Sequence, residues 1–419
     1  MTATHTTSRA RIAELAATCV HCGFCLSACP TYAVTRAEAD SPRGRIWLLA
    51  EEATRSGPVV ADRVRLHIDR CIGCEACVPA CPSGVRYDEI IHLARGLVEP
   101  GRPLADRTWR RSLARLFPSA RASAAALALG RPLFALRPAL ARGGGFGRRV
   151  ARALDEGRVA DRRHGGQPRI TSSARSPRRR VLLLAGCVAS AALGSTNDDA
   201  VSVLEAEGYS VEVLESVCCG ALSEHAGDEA AARRHARRIM AALADRDESV
   251  RLVVTSAGCG AHLRRYEWIV GEEGAAVARA TIDITELLTE DAPRAPRGAI
   301  EARVAVHDAC HLAFAQGIVD APRALLRQIP GLELVDVGGP RCCGAGGLYS
   351  LLEPELSTQV GERKARAVTE TAASVVASPN PGCTLQLRAL LGPEVDVVHP
   401  VTLVARSIEA ARRGATPRR

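Results

Sequence analysis

Cys218-Cys219-Gly220 returns 124 residues later as Cys342-Cys343-Gly344. One cysteine precedes each pair and one follows it: Cys187 and Cys259 in the first copy, Cys310 and Cys383 in the second. Thirty residues separate Cys187 from Cys218 and 31 separate Cys310 from Cys342, while 39 separate Cys219 from Cys259 and also Cys343 from Cys383. An internal duplication accounts for this agreement. The flanks repeat as well. Each first cysteine follows an apolar run, Val181-Leu182-Leu183-Leu184 or Val304-Ala305-Val306, and a helix-like stretch such as Ala321 to Ile329 comes after it. A β-branched segment, Tyr209 to Leu214 or Leu332 to Val337, leads into each vicinal pair. An Ala/Arg-rich helix, Asp228 to Ala244 or Glu355 to Ala373, is next, and a short strand, Leu252 to Thr255 or Ser374 to Ala377, delivers the last cysteine. Strands alternating with helices predict an α/β unit with a parallel sheet in each copy. The cysteines then fall on loops at the carboxyl ends of strands, where such sheets carry their sites. Gly220 and Gly344 allow a sharp turn beside the vicinal thiols. The eight cysteines are expected to converge on two sites, at least one of them holding a metal centre, because vicinal thiols left free would be open to oxidation.

The other eight cysteines lie upstream. Cys19, Cys22, Cys25 and Cys29, followed by Pro30, spell C-x2-C-x2-C-x3-C-P, and Cys71, Cys74, Cys77 and Cys81, followed by Pro82, spell it again. This doubled run is the signature of a two-cluster [4Fe–4S] ferredoxin, in which the fourth cysteine of each run ligates the other cluster. Cluster I is therefore expected on Cys19, Cys22, Cys25 and Cys81, and cluster II on Cys71, Cys74, Cys77 and Cys29. Structural zinc sites split two C-x2-4-C pairs across a longer loop, and a disulfide framework suits a short secreted chain; neither describes these runs.

The chain has 419 residues, enough for about three domains. Its start, MTATHTTSRARIAELAATC, has no apolar core of a signal peptide, and Val181 to Gly194 is shorter than the roughly 20 apolar residues that span a bilayer. A reducing, cytoplasmic setting follows, with the thiols serving as ligands. Residues 101–180 hold 20 Arg against Asp106, Asp155, Glu156 and Asp161, a local charge of +16, whereas the whole chain carries +9. Six prolines and Gly143-Gly144-Gly145 break this stretch, which reads as short helices and then a flexible linker. It is either a solvated tether or a basic patch for anionic lipid or an acidic partner subunit. No aromatic interleaving points to nucleic acid.

The order of two ferredoxin motifs and two Cys-Cys-Gly repeats resembles the iron–sulfur subunits of bacterial glycolate oxidase. Gly186-Cys187, Cys218-Cys219-Gly220-Ala221, Ser256-Ala257-Gly258-Cys259-Gly260-Ala261, His307-Asp308-Ala309-Cys310-His311, Pro381-Gly382-Cys383 and Ser41-Pro42-Arg43-Gly44-Arg45-Ile46 carry the resemblance. It covers nearly the whole chain and extends more distantly to lactate-utilisation iron–sulfur proteins, the anaerobic glycerol-3-phosphate dehydrogenase small subunit and heterodisulfide reductase subunits. In this class the ferredoxin module is helical. The resemblance thus implies a multidomain α plus α/β chain: a helical two-cluster ferredoxin domain over 1–100, an Arg/Pro/Gly-rich helical linker over 101–178, and pseudo-symmetric Cys-Cys-Gly repeats over 179–300 and 301–419. In the heterodisulfide reductase relatives the last cysteine of a repeat opens a C-x-x-C. Here His262 and Gln386 stand at that position, so a five-thiolate cluster cannot form as it does there, and His262 is either a substitute ligand or an ordinary polar side chain.

No G-x-G-x-x-G opens a βαβ unit, and no flavin site, Ser/His/Asp set or carboxylate pair stands out. Oxidation of a substrate by two electrons needs a flavin, which the resemblance places as FAD on partner flavoprotein subunits. The expected role is the electron-transfer subunit of a glycolate dehydrogenase, relaying single electrons towards quinone, with contact to the cytoplasmic membrane as a peripheral protein. A D-lactate dehydrogenase subunit and a heterodisulfide-reductase-like thiol enzyme are the alternatives. A redox sensor binding nucleic acid through the basic segment is the more remote one.

Overall fold

The computed structural model describes residues 2–55, 60–118, 134–160, 179–214, 217–244, 246–247, 249–338 and 342–415. Helices make up most of the described residues before 100. Helices Thr2–Ala16, Pro42–Ala53, Asp62–Asp69 and Tyr87–Val98 enclose Ile12, Ile46, Leu49, Val64, Ile68, Ile90 and Leu97 in one core, to which Cys71 and Cys77 belong. The segment Ser41 to Ile46 starts the second of these helices for local reasons. The Ser41 hydroxyl accepts the Gly44 N–H at 3.0 Å, and Pro42 occupies the first turn, where a missing N–H costs nothing. A Cβ on Gly44 would stand 2.0 Å from the Glu38 carbonyl oxygen, so only glycine fits.

Eight strands follow among the described residues: β1 (Arg180–Leu184), β2 (Ser210–Leu214), β3 (Arg251–Val254), β4 (Thr281–Asp283), β5 (Ala302–Val306), β6 (Leu332–Asp336), β7 (Val375–Ala377) and β8 (Asp396–Val398). They form two sheets ordered β2-β1-β3-β4 and β6-β5-β7-β8, parallel throughout. The duplication read from the cysteines is thus a duplication of fold, and the three strands expected per copy are present. β4 and β8, three residues each, carry too short an apolar signal to be read from sequence.

Val181 and Leu183 of β1 enter one core while Leu182 and Leu184 enter another, and Val304 and Val306 oppose Ala305 in the same way. Burial on both faces explains why these strands read as unbroken apolar runs. The inner core belongs to both sheets: Leu183, Val253 and Ile282 share it with Val304, Ala377 and Val398, joined by Leu204, Leu287, Leu325 and Val404 from helices.

The ferredoxin region rests on this paired body. Arg265 forms a two-pronged ion pair with Glu75, His92 bonds Glu224 at 2.6 Å, and His311 Nε2 lies 2.8 Å from the Gly73 carbonyl oxygen. The Tyr349 hydroxyl donates to the Arg70 carbonyl at 3.2 Å, and Arg363 donates to that of Ala33 at 2.9 Å.

The basic segment is folded where it is described. Helices Leu104–Leu116 and Gly145–Arg158 are joined by an edge-on Trp109–Phe146 contact and by Arg149 to Asp106 at 3.0 Å. Arg149 also donates to the Leu352 carbonyl of the second repeat, and Arg152 reaches Gln386. Arg102 and Arg110 are buried in ion pairs with Asp69, Glu99 and Asp106. Part of the local positive charge is therefore internal. The flexible linker expected towards residue 178 lies outside the described residues.

Candidate metal centres

The ferredoxin cysteines lie on two loops of similar build. Cys19, Cys22, Cys25 and Cys81 line one small cavity, together with Cys77. Cys29 is buried, as are Cys71, Cys74 and Cys77, whereas Cys22 is exposed. The loops holding them are built alike. His21 and Gly23 have φ of 54° and 87°, and Gly73 and Glu75 have φ of 74° and 61°. Left-handed residues on either side of Cys22 and Cys74 turn the backbone into the alternating conformation whose N–H groups form an anion-binding nest. A positive φ at His21 and Glu75, which have side chains, is a strained conformation of the kind that functional sites retain. The donor set and these nests fit two [4Fe–4S] clusters.

Charge around the inner group is also arranged. Arg45 is 1% exposed and donates to the His67 carbonyl at 2.7 Å and to Thr31 Oγ1 at 3.2 Å. Thr31 Oγ1 in turn contacts Cys29 Sγ at 3.2 Å. Burial disfavours the guanidinium charge, but Tyr87, Cys71, Cys29 and Asp40 outweigh it and keep Arg45 protonated. Burial pushes the Cys77 thiol well up, with Cys74 and Cys71 adding to the shift. A hydrogen bond with Cys342 of the second repeat pushes the Cys74 thiol up, and burial reinforces it. The ferredoxin and the Cys-Cys-Gly repeats thus meet sulfur to sulfur.

In the repeats every cysteine follows the carboxyl end of a strand. Cys218 Sγ is 3.6 Å from Cys187 Sγ, Cys219 Sγ is 3.2 Å from Cys259 Sγ, and Cys343 Sγ is 2.9 Å from Cys383 Sγ. The turns match: Gly220 N–H points to Cys218 Sγ and Gly344 N–H to Cys342 Sγ, both at 3.4 Å, with φ of 93° and 85° at the glycines. The quartets face each other across one cavity of about 110 Å³, which Cys187, Cys219, Cys259, Cys310, Cys342, Cys343, Cys383 and Cys74 all line. Asn380 ties the halves together. Its Oδ1 accepts the Gly258 N–H at 3.2 Å and its Nδ2 donates to Cys383 Sγ at 3.3 Å.

Within each quartet one thiol is pulled down and its neighbours are pushed up. Cys218 is lowered by hydrogen bonds from Cys187 and Cys219 and by the Gly220 N–H, while Cys187 and Cys219 rise. Cys343 is lowered by Cys383 and His307, while Cys383 rises. Buried thiols packed this closely cannot all ionise unless a cation joins them. That is the condition in which thiolates bind metal.

The two C-x-x-C replacements have other employment. His262 is stacked edge-on against Tyr266 and lines a polar pocket with His92, Glu224, His225, Arg265 and His311, in which no cysteine takes part among the described residues. Gln386 donates to Ser357 and accepts from Arg152. Sequence reasoning gave no separate role to Arg45, which it quoted only within a motif, and missed Asn380, the His92–Glu224 pair and Lys364. Lys364, the only lysine in the chain, is 1% exposed. Burial lowers its pKa, against the charges of Asp308, Cys343, Cys383 and Cys342. A lone lysine in an arginine-rich chain was the one available hint.

Two family models match. The 4Fe-4S dicluster domain covers residues 18–85, and the cysteine-rich domain covers 181–264 and again 304–388. The probable glycolate oxidase iron–sulfur subunit of Bacillus subtilis is 31% identical over 94% of this chain and 93% of its own length. The glycolate oxidase iron–sulfur subunit of Escherichia coli is 30% identical over 93% and 94%. Lactate utilization protein A of Bacillus licheniformis is 28% identical over 52% of this chain and 96% of itself.

Proposed function

The chain belongs to the family of glycolate oxidase iron–sulfur subunits, and from that membership we propose that it relays single electrons from FAD on partner flavoproteins towards the quinone pool during glycolate oxidation. Cys19, Cys22, Cys25 and Cys81 would hold one [4Fe–4S] cluster and Cys29, Cys71, Cys74 and Cys77 the other. When bound, they supply reversible one-electron storage.

The observation that carries this reading is the continuity of sulfur through the molecule. The chain presents Cys22 at its surface, buries the second set around Arg45, and brings Cys74 of that set against Cys342 of the repeats. The protein's own part is to keep these sets close, exclude water from the inner ones and hold Arg45 where it offsets thiolate charge. The basic segment fits peripheral contact with a membrane. Among the described residues no helix is long and apolar enough to cross one.

The test is co-purification with flavoprotein partners and an assay of dye reduction. Glycolate-dependent reduction that is lost in a Cys22→Ser variant is expected. Dependence on D-lactate instead would favour the second reading, which the similarity to lactate utilization protein A supports. Reduction of disulfides with no response to either acid would overturn both. The employment of His262 and Gln386 elsewhere speaks against that outcome.

A further inference from the structure

We propose that the second repeat holds a mixed thiolate–imidazole centre, in which His307 ligates a thiophilic metal together with Cys343 and Cys383. His307 directly follows β5 and is 1% exposed. Neither of its ring nitrogens bonds a nitrogen or oxygen atom among the described residues; the polar group it faces is the Cys343 thiol. A buried imidazole facing only a thiol has exchanged its water for a weak partner. Its ligand nitrogen and the sulfurs of Cys343 and Cys383 nevertheless all lie within 4.8 Å of one another. Tetrahedral metal–sulfur bonds of about 2.3 Å and metal–nitrogen bonds of about 2.0 Å place donors roughly 3.5–4 Å apart, so small side-chain rotations suffice. Cys342, the chain neighbour of Cys343, lines the same cavity as Cys343 and Cys383. Binding forms metal–sulfur and metal–nitrogen bonds and sends the thiol protons to solvent; no electron moves.

The two repeats are then chemically unlike despite their matched cysteines. Where the second has His307, the first has Leu184 and Ala185 at the end of β1. Where the helix Pro354–Thr369 carries Lys364, the matching helix Glu229–Ala244 carries Ile239 and Met240. A neutral imidazole in place of a thiolate, with a buried lysine nearby, makes the second centre less negative. In iron–sulfur centres that direction raises the reduction potential. The centre closest to the ferredoxin is therefore built to accept electrons.

The test uses the full-length chain, grown with ¹⁵N-histidine and purified without oxygen. Metal is expected beyond the roughly eight iron atoms of two [4Fe–4S] clusters: extra iron identifies a cluster and zinc a single ion. Imidazole nitrogen should appear in the hyperfine spectrum of the iron form or in the X-ray absorption of the zinc form. His307→Ala should lose at least half of the extra metal and all of the nitrogen signature. His307→Cys should keep the metal with sulfur in place of nitrogen. The ferredoxin spectra of both variants report whether the fold survives. If the alanine variant does not accumulate, the labelled wild type and His307→Cys decide. No metal beyond about eight irons, all-sulfur coordination in the wild type, or a nitrogen signature surviving in His307→Ala would overturn the assignment. None of these readouts depends on which acid the complex oxidises.

Discussion

Two buried charges show what a single side chain contributes. Arg45 is enclosed with Asp40, Thr31 and the inner cysteines. Removing one member of such a set typically costs about 3–5 kcal/mol. Arg45→Met is therefore expected to lower the melting temperature markedly and to shift one of the two ferredoxin potentials downward, since a positive charge beside thiolates is lost. A redox titration followed by EPR would show it; two unshifted potentials would rule out the electrostatic role. Burial opposes the charge on both His92 and Glu224. Their hydrogen bond nonetheless raises His92, with Glu229 helping and Arg95 opposing, and together with His225 and Arg95 it holds the Glu224 carboxyl well below the usual range. The stability that Glu224 adds is present above its unfolded pKa and is lost as pH falls through its folded value. The stability that His92 adds is present below its unfolded pKa of about 6.5 and is lost as pH rises through its raised folded value. The gap in thermal stability between wild type and His92→Gln should accordingly be widest near about pH 6 and shrink in alkali. A gap that ignores pH would mean that the pair acts through packing alone.

At the level of the element, the turn after each vicinal pair is the demanding part. Gly344 has φ of 85°, and a Cβ on it would meet the Ser357 carbonyl oxygen at 2.4 Å, whereas Gly392 has φ of 76° and open space around it. Both alanine substitutions incur the left-handed penalty of about 1–2 kcal/mol, but only Gly344→Ala must also move a helix. Chemical denaturation should find Gly344→Ala the more destabilised by at least a further 1 kcal/mol or so; equal losses would show that the turn relaxes freely. Crossed ligation by the ferredoxin loops is open to a similar test. Cys81 lines the cavity of the first run and Cys29 is buried beside Thr31 and Arg45's neighbours. Cys29→Ser is expected to damage the cluster of Cys71, Cys74 and Cys77, and EPR showing loss of only the Cys19 to Cys25 cluster would refute it.

For the whole molecule, the question is how the ferredoxin stays on the repeats and what the basic segment does there. Neutralising Arg178, Arg179 and Arg180 tests the membrane reading. Arg179 already pairs with Glu290 at 3.3 Å, and Arg178 lies outside the described residues. Each arginine near an anionic surface adds about 1 kcal/mol, so flotation with anionic vesicles at low salt should fall by an order of magnitude or more; unchanged flotation at every ionic strength would leave the segment as an internal clasp. The sequence by itself determined the ferredoxin motifs, the duplication and the strand–helix alternation, because cysteine spacing and apolar periodicity are local properties that survive unfolding. It also limited the fifth-ligand reading, since His262 and Gln386 can be seen in the residue string. Only the tertiary structure decided that Cys74 meets Cys342, that seven of the eight repeat cysteines line one cavity, and that Arg102, Arg110 and Arg152 are buried. It likewise decided that His307, written as one letter of a motif, stands buried beside Cys343 and Cys383. These are contacts between residues tens to hundreds of positions apart, fixed by two sheets closing on one shared core, and chain spacing does not encode which loops such a closure brings together.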